Sequence, residues 1–599
     1  MRWMKLWVMA VTFSGSLIAG DIKLNYRVDI SEPMQDRFYV TLAVKGWSND
    51  SAVFQFASTA PGTYQVMDVG RFVNGFTASD SKGKSLPVVQ RGINQYVIND
   101  AKNLAIISYR VEDVNDTNLT VHPIYPMAGS NIEKDNALIN GQMVFGYFHG
   151  YQANPIQVQI DCPKDWKIAT ALTPKNGIYS ADSFDHIVDS PFLLGRLTEV
   201  KTKVGGAEVG IYCYSQNNIV TADSLLEALR AMLVAAEKFL GELPVKRYAF
   251  LYHFRQDVPA VYGAWEHSYS SEYVMPEKPM SVYGETVKDF SAHEFFHIVT
   301  PLNIHSEIIQ QFNFVKPTPS DHLWLYEATT EWASHLMQVR GGMITSDEFT
   351  ERITNKLVTS DYFRSDLSLV DLAHGSFGEL APQYGNIYVR GALTMMLFDM
   401  RLLELTKGKM GLNDLVKKLA KQYGPKKAFP EKEIFDIVVK MTHPDMKDFI
   451  DRYIKGYEPL PVERMLNLAG YAYHAKFETN EEKTDMGKFD FDYGTDKITF
   501  KDVDASNAVT AKLGLQNGDA FLGFIKDSTE FRLGKPGVQK AMNSVKPGEE
   551  FGLIVQRGSE EIKLTAKAGV KKNIKPHVIL PVEKPTSDQL AFRKRWLSN

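Results

Sequence analysis

Four early runs alternate between apolar and polar positions. "KLNYRVDI", "RFYVTLAVKGW", "LAIISYRVEDV" and "IQVQIDC" are rich in β-branched and aromatic residues and are separated by Gly, Asn, Asp and Pro turns. Residues 21–215 therefore read as an N-terminal all-β domain, most simply a sandwich. The period changes near residue 220. "TADSLLEALRAMLVAAEKFLGEL" carries apolar residues at three- and four-residue spacing behind a Thr221 or Asp223 cap, which predicts an amphipathic helix. The same spacing recurs in "DFSAHEFFHIV", "HLWLYEATTEWASHLMQVRGG", "SDEFTERITNKLVTS", "YVRGALTMMLFDMRLLELTKG" and "LNDLVKKLAKQYG". Residues 216–468 are thus predicted to be a largely helical domain, with a few strands such as "RYAFLYHF" near its start. Beyond 470 short strands return around the helix-like "KPGVQKAMNSV", so 480–570 forms a third, mixed unit. The polar, proline-bearing stretch 571–599 reads as an extended tail. The expected class is multidomain α+β.

The opening "MRWMKLWVMAVTFSGSLIAGD" departs from all of these patterns. Arg2 and Lys5 precede a short apolar run from Leu6 to Ile18, and Ala19 and Gly20 form a small-residue cleavage neighbourhood. Residues 1–20 therefore read as a signal peptide of an exported protein, periplasmic or secreted; an uncleaved anchor is the alternative. No other stretch is long and apolar enough to span a bilayer. Over the 599 residues, 44% hydrophobic and 23% charged content are those of a soluble globular protein of several domains. A net charge of −4 without a basic block argues against nucleic acid as a partner. Two cysteines, Cys162 and Cys213, are too few for a disulfide scaffold or a Cys-based metal site; they either pair or stay free.

The candidate chemistry begins at "SAHEFFHIVT". His293 and His297 are four apart, so on a helix both imidazoles can reach one ion, and Glu294 stands one step round. The competing reading is a core helix packed through Phe295, Phe296, Ile298 and Val299. A third ligand decides between them. The HExxHxxGxxH pattern would need a histidine at 303, where the chain has Asn303, and His305 lies beyond Pro301. Further on, "HLWLYEATTEWASHL" offers Glu327 and Glu331 one turn apart among apolar residues, including Trp324 and Trp332. Carboxylates buried there are costly unless partnered. Glu327 as a metal ligand, with Glu331 holding an imidazole, would relieve that cost.

These two segments resemble the metal-binding helices of gluzincin metallopeptidases. The chain as a whole resembles the glycyl aminopeptidase family, peptidase family M61, through "STAPGTYQVMDVGRFV", "GAWEHSYSSEYV", "HEFFHIVTPLNIHSE" and "HLWLYEATTEW". The resemblance implies a thermolysin-like catalytic domain and one Zn2+ held by His293, His297 and Glu327. It implies Glu294 as general base, Glu266 as partner of the substrate's α-amino group, and Tyr388 of "NIYVRGAL" as donor to the oxyanion. The bland readings are a structural glutamate and a core tyrosine, and His267 and His305 are read as structural or rim residues. The chain departs from the family at Ala264-Trp265, at Ala328 and at Arg390. "AKLGLQNGDAFLGFI" and "VKPGEEFGLIVQRG" resemble a PDZ domain, which would bind a peptide terminus. The implied activity is an exported zinc aminopeptidase cleaving peptides after a first glycine or alanine. The alternatives are a zinc endopeptidase and a peptide-binding, chaperone-like protein with a structural zinc. Glu294 speaks against the last, since a structural site needs no general base.

Overall fold

The computed structural model describes residues 22–115, 119–241, 243–256, 262–493, 497–532 and 535–598. The expected signal peptide, 1–20, lies outside the described residues. The alternation read from the N-terminal part holds: in Arg37–Lys45 the buried side chains are Phe38, Val40, Leu42 and Val44. This strand lies inside a six-stranded sheet ordered Ile178–Ala181, Ile156–Asp161, Lys23–Asp29, Arg37–Lys45, Leu104–Glu112, Val73–Asp80. A four-stranded sheet, Tyr147–Phe148, Ser51–Gln55, Gln95–Asn99, Val88–Arg91, shares its core. Aromatic rings fill that core. Phe76 stacks on Tyr96 at 4.1 Å and Phe56 meets Tyr109 edge-on at 5.1 Å, geometries that add to plain area burial.

The expected boundary at residue 215 falls inside a sheet. Strands Thr198–Val204 and Ala207–Ser215 join Arg247–Arg255, Ser270–Pro276 and Gly263–Glu266 in one five-stranded sheet, in that order. Alternation identifies a strand but not the sheet that recruits it, and this explains the misplaced limit. Gly263–Glu266 is the last strand of the sheet, antiparallel to Ser270–Pro276. Helix Ala222–Leu240 begins as expected, with Thr221 accepting from the Ser224 N–H at 3.2 Å. Helix Met280–Phe296 carries the two histidines toward its end, and its apolar face is core. Phe295 packs edge-on against Tyr248 at 5.0 Å and Phe296 against Phe239 at 5.5 Å.

The chain forms two compact units, one ending at Gly470 and resuming at Glu583, the other Tyr471–Val582. The second is wider than the expected 480–570 because Tyr471–Asp485 and Gly569–Pro581 pair as a long antiparallel ribbon. Its main sheet runs Asp490–Tyr493, Ile498–Lys501, Ala520–Lys526, Glu550–Arg557, Glu560–Lys567, with helices Ala508–Leu513 and Lys535–Asn543. The first helix stops at Gly514, whose φ of +66° is the left-handed conformation that glycine adopts freely.

The tail is not extended. Residues 569–581 are a strand, and Ser587–Leu597 is a helix opened by a Thr586–Gln589 capping box. That helix buries Trp596 against Trp332 and Phe349, and Arg340 donates to the Trp596 carbonyl at 2.8 and 3.0 Å. One tryptophan near the end of a polar segment is too little periodicity to reveal a docked helix. Cys162 and Cys213 are free thiols. Among the described residues no helix is long and apolar enough to cross a membrane.

Trp596 is fully buried, so Trp596→Ala should remove about 3–5 kcal/mol from the first unit. Thermal or urea unfolding of the full chain measures this. A loss under about 1 kcal/mol would mean the terminal helix contributes nothing to the core it covers.

Candidate metal centre and catalytic site

His293 lies in the last turn of helix Met280–Phe296 and His297 is its C-cap, so the pair still shares one face. Their Nε2 atoms are 3.2 Å apart. Glu327 comes from the π-helical turn Trp324–Ala328, which runs into helix Thr329–Arg340, and its Oε2 lies 3.5 Å from one Nε2 and 3.6 Å from the other. Nδ1 of His293 meets Glu331 Oε2 at 2.8 Å, and Nδ1 of His297 meets the Thr300 carbonyl at 2.8 Å. Both partners accept, which fixes the proton of each ring on Nδ1. With both rings neutral, the two Nε2 lone pairs and a carboxylate oxygen converge with no donor among them. A cation resolves that repulsion. A tetrahedral ion with bonds of about 2.0–2.2 Å needs ligand atoms roughly 3.3–3.6 Å apart, and the observed triangle fits. His293, His297 and Glu327, all buried, could hold a metal ion.

The supports of this triangle are charged as well. Glu331 Oε1 takes hydrogen bonds from Lys356 Nζ at 2.6 Å and from His335 at 3.1 Å. Burial would raise the Glu331 carboxyl, but Lys356 and His335 hold it well below the usual range. Burial likewise opposes Glu327, which the two imidazoles keep below its ordinary value. Burial lowers His297 to about 4. It would lower His293 too, but Glu327 and Glu331 carry that ring well above its ordinary value. Glu294 behaves differently: burial pushes its carboxyl up to about 8, with Glu327 and Glu331 adding to the shift and His293 opposing it. A carboxyl near neutrality is suited to accept and return a proton.

The three expected ligands, Glu294, Glu266 and Tyr388 all line one cavity of about 100 Å³. Glu266 ends the edge strand Gly263–Glu266, and its carboxylate belongs with Glu294 and His297 to a second group of atoms within 4.8 Å of one another. Burial, then Glu327 and Glu294, hold it well above the ordinary carboxyl range. Tyr388 lies on another π-helical turn, Ile387–Gly391, with its ring 5.5 Å from His293 and its hydroxyl 3.0 Å from that of Tyr384. Burial keeps the Tyr388 phenol protonated, with Glu327 reinforcing it. His267 and His305 lie apart from the metal group, in the neighbouring cleft.

Two of the departures from the family have structural answers. Arg390 points away from the cavity and ties down the carbonyls of Leu367, Ser365 and Glu458. Ala328 faces Gly391, where an added Cβ would lie 2.7 Å from the Ala328 Cβ, so the two π turns approach through a glycine on the opposite side. Sequence reasoning missed Tyr64. This residue of the N-terminal β-domain has φ of +47° and places its hydroxyl 3.3 Å from Glu327 Oε1, so Tyr64 donates to the oxygen that faces away from the imidazoles. No local pattern marks it. Tyr384 was legible in principle, four residues before Tyr388 on one helical face.

Two family models match the chain. Residues 25–196 fit the Peptidase M61 N-terminal domain, and residues 286–388, from the histidine pair through Tyr388, fit M61 glycyl aminopeptidase. The crystal structure of an aminopeptidase N family protein from Idiomarina loihiensis has the same fold. Its TM-score is 0.74 at 18% identity, covering 96% of this chain and 100% of that one. No curated protein sequence matches. The fold and the buried histidine–histidine–glutamate group are those of a metallopeptidase, a hydrolase acting on peptides. By these matches, segments 25–196 and 286–388 are similar to the two domains of peptidase family M61.

Gly391→Ala tests how the π turns are set. In an ordinary helix this change stabilises by about 0.5–1 kcal/mol. Here the methyl must displace the turn bearing Glu327, so a loss of about 1–3 kcal/mol and weaker metal retention are expected. Thermal unfolding and metal content after dialysis against a chelator provide the readouts; a stabilised variant with full metal would refute the account.

Proposed function

We propose that the protein is an exported zinc aminopeptidase that hydrolyses the first peptide bond of peptides beginning with glycine or alanine. The observation that carries the reading is the position of Glu266, a half-buried carboxylate at the end of an edge strand, within reach of Glu294 and His297. His293, His297 and Glu327 would hold the zinc. When bound, zinc supplies Lewis acidity toward the scissile carbonyl and lowers the pKa of water. A peptide added antiparallel along Gly263–Glu266 brings its amine end to Glu266 and runs on past Ala264. Glu266 pairs with the α-ammonium, which offsets the cost of its burial. Glu294 takes the proton of the attacking water and returns one to the leaving amine. Tyr388 donates its phenolic hydrogen to the developing oxyanion.

The preference for glycine or alanine rests on the family resemblance, with the small cavity in its support. Export, to the periplasm or beyond, rests on residues 1–20. Unit Tyr471–Val582 is read as a PDZ-like domain that binds a peptide terminus, supported by its order of strands and two helices. One observation favours a second reading, a zinc endopeptidase: a cleft continues past Glu266 and could hold residues upstream of the cut bond.

Purified mature protein should carry close to one zinc per chain. Glu294→Gln should keep that zinc while losing about 10²–10⁴ in turnover. Near-normal turnover in this variant would place the base elsewhere.

Matched free and N-acetylated peptides separate the two readings. Acetylation removes the charge that Glu266 pairs with, so blocked peptides should be poor substrates. Glu266→Ala should abolish most of the difference, a change of about 2–5 kcal/mol in kcat/KM. Efficient internal cleavage of acetylated peptides by wild type would establish the endopeptidase instead.

A further inference from the structure

The metal cavity of about 100 Å³ shares a wall with a cleft of about 520 Å³: Gly62, Tyr64, Trp265 and Glu266 line both. Three of these four leave nothing to open. Gly62 has no side chain, Glu266 is the proposed amine anchor, and Trp265 belongs to the core cluster of the N-terminal sheets. The phenol ring of Tyr64 is the part of the shared wall that a substitution can remove.

That ring is held in place from both ends. Its hydroxyl reaches Glu327 Oε1 at 3.3 Å, and it packs on the rings of Tyr384 at 5.0 Å and Phe377 at 5.9 Å. The loop behind it is closed on itself. The Met67 N–H donates to the Ser58 carbonyl at 2.7 Å, and the hydroxyls of Thr59 and Thr63 donate to the carbonyls of Gln65 and Ala60 at 2.8 and 2.7 Å. Within this loop Tyr64 keeps a φ of +47°, a left-handed conformation that is costly for a bulky side chain. Glycine adopts that backbone freely, so local preference does not explain an aromatic ring here.

We propose that Tyr64 is the specificity-determining residue: its ring closes the metal cavity toward the cleft and restricts the substrate's first residue to glycine or alanine. The assignment rests on the aminopeptidase reading, in which Glu266 holds the α-amine. The scissile carbonyl then belongs at His293, His297 and Glu327, and the first α-carbon lies between the two. Tyr64 spans that same interval, with its hydroxyl at Glu327 and its loop packed on Glu266 through Gly62. A hydrogen or a methyl on the α-carbon clears the ring. A longer branch meets it, and pushing aside a ring packed on Tyr384 and Phe377 strains the closed loop. Without the ring, the same branch passes into the cleft.

The test uses the zinc-loaded full chain with the anilides of alanine and leucine. On wild type the alanyl substrate should exceed the leucyl one by roughly 100-fold in kcat/KM. In Tyr64→Gly, whose backbone suits a positive φ, that ratio should fall by about tenfold or more. Tyr64→Phe keeps the ring and loses only the bond to Glu327, so its ratio should stay near that of wild type. Each ratio is taken within one sample and is independent of the fraction folded or metal-loaded. A residue that merely supported the loop would lower both substrates alike. Should Tyr64→Gly not fold, a crystal structure of wild type with alanine hydroxamate decides: the methyl should lie within about 4 Å of the Tyr64 ring, and a methyl directed elsewhere overturns the proposal. So does an unchanged ratio in Tyr64→Gly, an equal fall in Tyr64→Phe, or equal use of both anilides by wild type. In each of these cases alanyl-anilide is still cleaved and the aminopeptidase reading stands. Cleavage of acetylated peptides without turnover of any free aminoacyl-anilide overturns both.

Discussion

Nε2 of His293, Nε2 of His297 and Oε2 of Glu327 face one another across 3.2–3.6 Å in a buried cavity, with the protons of both rings directed outward. Three acceptors held this way repel unless a cation lies between them. Much of the surrounding structure holds the arrangement in place. Glu331 and the Thr300 carbonyl orient the imidazoles, Lys356 and His335 keep Glu331 charged, and Tyr64 takes the second oxygen of Glu327. Lys356 also donates to the Tyr388 carbonyl at 2.9 Å, so the proposed oxyanion donor and the support of His293 share one ammonium group. A change in any of these groups is felt by the others, as expected of a satisfied buried network.

The same constraint explains the use of π-helical turns. Glu327 and Tyr388 each lie on one, and the two turns meet through Ala328 and Gly391. A π turn admits an extra residue into a helix and so rotates side chains off the ordinary helical face. The N-terminal β-domain is equally committed to the site. Gly62, with φ of +75°, passes so close to Glu266 and Trp265 that an added Cβ would lie 2.6 Å from a side-chain atom of each. Trp265 in turn belongs to the core cluster of the N-terminal sheets. The loop carrying Gly62 and Tyr64 is thus part of the cavity wall, and the proposed amine anchor is packed from the side of a domain that holds no proposed metal ligand.

Pattern reading succeeded where one segment suffices. The alternation of "RFYVTLAVKGW", the Thr221 cap and the helical spacing of "SAHEFFHIV" all follow from nearest-neighbour geometry, and each element formed where expected. The histidine helix carries the residues of both readings, on different faces. Phe295 and Phe296 fill the core while the imidazoles face the cavity. Reading failed at residue 215, where a strand joins a sheet formed later in the chain, and at the terminal helix, which docks through Trp596.

By itself, then, the sequence determined the elements, the spacing of His293, Glu294 and His297, the acidic pair Glu327 and Glu331, and through motif resemblance the roles proposed for Glu266 and Tyr388. Those features depend on side chains within a few residues of one another, or on motifs that travel intact. Only the tertiary structure decided that Tyr64 reaches Glu327 from 263 residues away, that Arg390 serves backbone carbonyls instead of the cavity, and that an acid-lined cleft opens beyond Glu266. Contacts of that range are set by how sheets and helices pack, and no local periodicity encodes which distant loop will close a cavity.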